Sequence, residues 1–204
     1  MAATRDQRAD ARRNVEAILS AAEHCLSGDP QATVAHIAQA AGVGRVTLYG
    51  HFKTRAELVD AVFDRVSAKS SEVLDAVDTK GDPAVALVRL AETTWHVVHG
   101  FNAIRVAAQS ELPEDRIREH HDIHFRRLEA LIARGQRSGT FRRDLPRHWL
   151  VSMCYRVMHG AADDCAAGRL KHEDAGRVVA ATLLAAFTPP GIPVRDPDRI
   201  EAHG

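Results

Sequence analysis

The chain has 204 residues, 45% of them hydrophobic, which suits one or two domains able to bury a core and argues against global disorder. Its 27 basic and 27 acidic residues cancel, so no overall field draws it to nucleic acid or an anionic membrane, and any such binding must come from a local patch. Cys25, Cys154 and Cys165 form no CxxC pair, the N-terminus lacks an apolar signal core, and the longest apolar run, Val178 to Phe187, is too short to cross a bilayer; a cytoplasmic protein with no membrane partner is expected.

Along the chain, apolar residues recur at helical spacing, as in Val15, Ile18, Leu19, Ala22 and Leu26, and no sustained alternation of period two is found. The expected fold is all-α with about nine helices: 10–27, 34–40, 45–51, 55–77, 84–100, 103–110, 114–137, 147–167 and 172–187. Pro30, Pro83, Pro113 and Pro146 fall between these segments, where a missing N–H costs least. Residues 1–9 read as a flexible arm, and 189–204, holding half of the prolines, as a mobile tail.

The segments at 34–40 and 45–51 are joined by a tight glycine turn. Thr33 caps the first or donates to a phosphate, Gly42 ends it, and Val43 folds back onto it. In the second, Leu48 and Phe52 point inward, leaving Arg45, Val46, Thr47, Tyr49 and His51 on the remaining surface. "TRAE" from Thr54 to Glu57 has the capping-box pattern and opens the next helix. No Asp or Glu lies between Pro30 and Ala56, whereas Arg45, Lys53 and Arg55 do, and Lys53 precedes helix N–H groups suited to a phosphate. Helix, short turn, helix fits a DNA-reading unit, and equally a helical hairpin with one solvated face.

The residues Ile37-Ala38, Ala41-Gly42-Val43, Thr47-Leu48-Tyr49, His51-Phe52, Lys53 and Leu58 resemble the DNA-binding signature of the TetR family over about residues 11–64. Beyond that stretch only length and helix count agree. The resemblance implies a DNA-binding domain at 10–64 and a ligand-binding and dimerisation domain at 65–188. It implies a dimeric transcriptional regulator, usually a repressor, released from double-stranded operator DNA by a small-molecule effector. Thr33, Thr47, Tyr49 and Lys53 match positions that touch the DNA backbone, Arg45 and Val46 match positions that face base edges, and His51 touches phosphate or packs. Three residues depart from the pattern: Gly44 where serine often caps the recognition helix, Val46 where a small residue is common, and Gly50 where a longer side chain is frequent.

In the C-terminal half, Trp95, His99, Phe101, His124, Phe125, Met153 and Val157 either wall an effector cavity or fill core. The helix 172–187 is apolar on nearly every face, and the preceding one carries small residues. Gly160, Ala161, Val179, Leu183 and Phe187 are therefore expected at a homodimer interface built as a four-helix bundle from the last two long helices. His120 and His124 lie at i, i+4, a spacing seen in metal sites, but without the cysteines or further ligands of a complete set. They leave open a metal-sensing regulator and a His-based metal hydrolase in a helical bundle. With no evident nucleophile or full ligand set, neither a resident cofactor nor an enzymatic role is expected.

Overall fold

The computed structural model describes the backbone of residues 2–200 and the side chains of 10–119 and 125–199. The described residues form nine helices and no strand: α1 (Ala2–Gly28), α2 (Val34–Ala40), α3 (Arg45–His51), α4 (Arg55–Asp75), α5 (Pro83–Glu111), α6 (Glu114–Ser138), α7 (Arg147–Ala166), α8 (His172–Phe187) and α9 (Pro197–Ile200). The all-α expectation is met. Two expected helices, 84–100 and 103–110, are one: the chain runs through Gly100, which costs about 1 kcal/mol in a helix but offers neither a proline nor a cap to stop it. None of the described helices is long and apolar enough to cross a membrane.

The chain divides into two units. The first comprises the N-terminal residues up to Ala68 together with Gly100–His120. Its core is Ile18, Ala22 and Leu26 of α1, Ile37 and Ala38 of α2, Leu48 of α3, Leu58, Val59, Val62 and Phe63 of α4, and Ile104 and Ala108 of α5. Ion pairs surround this core. Arg65 joins α4 to Glu16 (2.7 Å) and Glu23 (3.0 Å) of α1, and Arg116 joins the first turn of α6 to Asp60 (2.8 Å) and Asp64 (2.9 Å) of α4.

The second unit holds Lys69–His99 and the chain from His121 onward. Asp82 starts α5 by accepting the N–H of Ala84 (2.7 Å) and of Val85 (3.3 Å), and Pro83 occupies the first helical position, where no N–H is needed. Trp95, Ile132, Phe141, Leu150, Val179, Leu183 and Phe187 fill its core. Gly135 of α6 is set by close approach, since a Cβ there would lie 2.0 Å from the Phe141 ring. Within the tail, residues 190–194 are exposed, Arg195 pairs with Asp82 at 2.7 Å, and Pro197 at the start of α9 is buried.

Candidate nucleic-acid interface and interior of the second unit

Local chemistry sets α2 and α3 at a fixed turn. The Thr33 hydroxyl accepts the His36 N–H (3.2 Å), capping α2. At the other end Gly42 takes φ +68°, its N–H bonds to Gln39 (3.1 Å), and the Val43 N–H reaches back to Ala38 (3.0 Å). This pair of bonds with a left-handed glycine is the Schellman ending, which a residue with a Cβ would enter only at a cost. Gly44 then begins α3 in extended conformation with no side-chain cap, the consequence of glycine where serine is common.

A single apolar anchor holds α3. Leu48 is fully buried, worth about 2–5 kcal/mol against alanine, while Arg45, Val46, Thr47, Tyr49 and Gly50 are exposed. Val46 is 88% exposed, an apolar side chain that none of the described residues covers. His51 and Phe52 are half-buried. The Lys53 ammonium lies 3.4 Å from the Tyr49 carbonyl and 3.5 Å from that of Gly50, at the end of α3 where the helix dipole favours a cation.

Two expectations about this surface need correction. The start of α4 is not a bare set of N–H groups: the Glu57 carboxylate accepts the Lys53 N–H (2.6 Å), and the Thr54 hydroxyl accepts that of Glu57 (3.0 Å). Nor does Arg55 join the exposed cations. Its guanidinium turns inward, donating to the Pro30 carbonyl (2.7 Å) and the Ala32 carbonyl (3.4 Å) and pairing with Glu111. The acid-free run from 31 to 56 gave no sign of this, because the acid that captures Arg55 stands 56 residues away.

In the second unit, Trp95, Phe125, Met153 and Val157 do share one apolar cluster. Phe101 does not belong with them; it packs against the core of the first unit, because it follows the point at which α5 passes from one core to the other. His99 stacks on His172 at 3.7 Å between ring centroids, with Trp95 within 6 Å of both. Burial, then the neighbouring His172 and His96, lowers the His99 pKa below the ordinary imidazole value. Phe125 meets Tyr155 edge-on at 5.9 Å, and Tyr155 meets His159 at 4.3 Å. Sequence reasoning missed His172, whose ring partners lie on α5, and Tyr155, which meets Phe125 of α6. The Trp95 indole N–H is buried with no hydrogen-bond partner among the described residues.

The side chains of His120 and His124 lie outside the described residues. Among those described, no group of three or more His, Cys, Asp or Glu is placed to hold a metal ion.

The proposed dimer residues also need revision. Ala161, Val179, Leu183 and Phe187 are buried within the chain's own core, at 8%, 1%, 1% and 0% exposure. A helix apolar all round has more than one buried face; Val179, Leu183 and Phe187 mark the inward face of α8, and Ala161 that of α7. Of the set only Gly160 faces outward, in company with Arg156 and Asp163 on α7 and Val178, Thr182 and Ala185 on α8.

A family model described as bacterial regulatory proteins, tetR family, matches residues 18–62, the stretch that contains α2, α3 and the turn between them. Across most of the chain, the sequence is 26% identical over 160 residues to the HTH-type transcriptional regulator NfxB of Pseudomonas aeruginosa, covering 76% of this chain and 83% of that protein. It is 28% identical over 163 residues to the HTH-type transcriptional repressor LfrR of Mycolicibacterium smegmatis, covering 79% and 84%. The fold matches the crystal structure of LfrR in complex with proflavine (TM-score 0.64, 22% identity, 86% of this chain and 97% of that one). It also matches FadR of Bacillus subtilis in complex with stearoyl-CoA (TM-score 0.69, 17% identity, 84% and 98%).

Proposed function

The chain belongs to the TetR family of bacterial regulatory proteins and is a DNA-binding transcriptional regulator; from that premise we propose that it is a homodimeric repressor that an organic effector releases from operator DNA. The observation that carries the reading is α3, which spends one side chain on the core and leaves Arg45, Val46, Thr47 and Tyr49 bare. Arg45 and Val46 face base edges, Val46 offering apolar contact to a thymine methyl. Thr33, Thr47, Tyr49 and Lys53 take the phosphates, and His51, half-buried, borders them. Gly44 lets the backbone enter α3 without a side chain between it and the DNA.

One such helix binds weakly. Two of them, spaced about one turn of DNA (~34 Å) in a dimer, engage successive major grooves. The outward faces of α7 and α8, through Arg156, Gly160, Val178, Thr182 and Ala185, support that dimer. The cluster of Trp95, Phe125, Met153 and Val157, with His99 beside it, supports an organic rather than a metal effector. An effector that binds the DNA-incompetent form better shifts the population off the operator.

This two-part chain works in the cytoplasm without an enzymatic step. Alanine at Tyr49 and Lys53 together should abolish retention of full-length protein on its selected duplex while the thermal unfolding transition stays in place. Retention by the double variant would refute the assignment of this surface.

A further inference from the structure

Arg55 is the cation of the helix-turn-helix region that does not face outward. Its side chain is 20% exposed, and its guanidinium fork meets three acceptors in different directions. Nη2 donates to Pro30 (2.7 Å), Nε to Ala32 (3.4 Å), and Nη1 to the Glu111 carboxylate at the end of α5. Both carbonyls belong to the turn in which the Asp29 side chain accepts the Gln31 N–H (2.8 Å) and the Asp29 carbonyl accepts that of Ala32 (3.0 Å), and Thr33 follows immediately. Arg55 itself is the first residue of α4, directly after Lys53 and Thr54.

We infer that Arg55 is a positioning residue for DNA binding, which fixes the start of α2 against the start of α4, and that Glu111 holds it in that grip. The inference rests on the DNA-binding reading above, in which Thr33 and Lys53 belong to the phosphate-facing surface. These two residues lie on segments with no covalent route between them shorter than the whole of α2, the turn and α3. A planar fork of five donors can tie several acceptors at once in a fixed geometry, whereas an ammonium on a flexible stem cannot. With the grip intact, the phosphate-contacting groups are in place before DNA arrives. Without it, their ordering is subtracted from the binding free energy.

The sign of one substitution separates this role from a purely electrostatic one. Glu111 is an anion within the DNA-binding unit, and by charge alone Glu111→Gln should tighten binding, the more so if Arg55 were then free to reach a phosphate. The positioning role requires the opposite. The probe is the duplex most enriched by the wild-type full-length protein from a random-sequence library, and affinity is read by fluorescence anisotropy over a salt series.

Glu111→Gln and Arg55→Lys are each expected to weaken binding about tenfold, equivalent to about 1.4 kcal/mol. The slope of log K against log salt stays at the wild-type value, because no phosphate contact is lost. Loss of a direct Arg55 contact would instead lower that slope by about 0.9 per site. Cooperative thermal unfolding, followed in parallel, separates lost positioning from lost fold. If Glu111→Gln does not unfold cooperatively, Arg55→Lys decides alone. Binding by Glu111→Gln as tight as wild type or tighter overturns the inference, as does Arg55→Lys binding like wild type. If the wild-type protein enriches no duplex at all, it is the DNA-binding reading that fails, and the inference falls with it.

Discussion

Gly135→Ala tests how tightly the second unit is packed, and two opposed effects decide its sign. On an isolated helix the change stabilises by about 1 kcal/mol, because alanine is the better helix former. Here the new methyl carbon would lie 2.0, 2.4 and 2.6 Å from three carbons of the Phe141 ring, separations no real contact tolerates. The ring has little freedom to yield: it is 2% exposed, stands edge-on to the fully buried Phe187 at 5.5 Å, and its backbone N–H is bonded to the Gly135 carbonyl at 3.0 Å.

Overpacking of this kind costs about 1–3 kcal/mol where neighbours can shift and more where a ring must leave the core. After the helix gain is subtracted, a net loss of about 2 kcal/mol is expected. For a chain of this size that lowers Tm by about 4–8 °C, read by far-UV circular dichroism. An unchanged or raised Tm would mean that the Phe141 ring does not occupy this space.

Three further outcomes follow from the same geometry. Gly160→Arg, at a position where an added Cβ meets nothing within 4 Å among the described residues, should leave the unfolding transition intact but convert the proposed dimer to a monomer in sedimentation; a dimer of unchanged stability would place the interface elsewhere. Gly50→Arg, where an added Cβ likewise meets nothing within 4 Å, should tighten DNA binding several-fold and steepen its salt dependence by about one contact per site. Because His99 is held below its ordinary pKa by burial, His172 and His96, the unfolded chain binds its proton first as pH falls. Stability from the neutral stack is therefore full above about pH 6.5 and declines below it. The contribution should vanish in His99→Gln, as seen by comparing Tm at pH 7.5 and 5.5.

Helices α2 and α3 were legible in the sequence because they carry their own signals: a threonine cap at 33, a glycine ending at 42, and Leu48 and Phe52 as inward anchors. Such signals are local, and α2 and α3 occur at the expected positions, 34–40 and 45–51. Contacts that depend on distant partners were not legible. Arg55 read as a DNA cation because nothing near it in sequence could pair with it, and Glu111 is brought to it only by the fold. Val179, Leu183 and Phe187 read as interface residues for a related reason: an α8 apolar on all sides does not say which stripe meets its own core. The segments 84–100 and 103–110 read as two helices, but nothing between them stops α5, which runs on to Glu111. The histidine stack of His99 and His172 joins two helices by a pairing that no sequence period encodes.

Whether the bare face of α3, with Tyr49 and Lys53 beside it, grips DNA is tested most directly by the salt dependence of operator affinity. Full-length wild-type protein on its selected duplex should show log K falling with log salt by about 0.9 for each phosphate contact, and alanine at Tyr49 and Lys53 should remove the binding. Affinity that ignores salt, or survives both substitutions in a folded protein, would contradict the account.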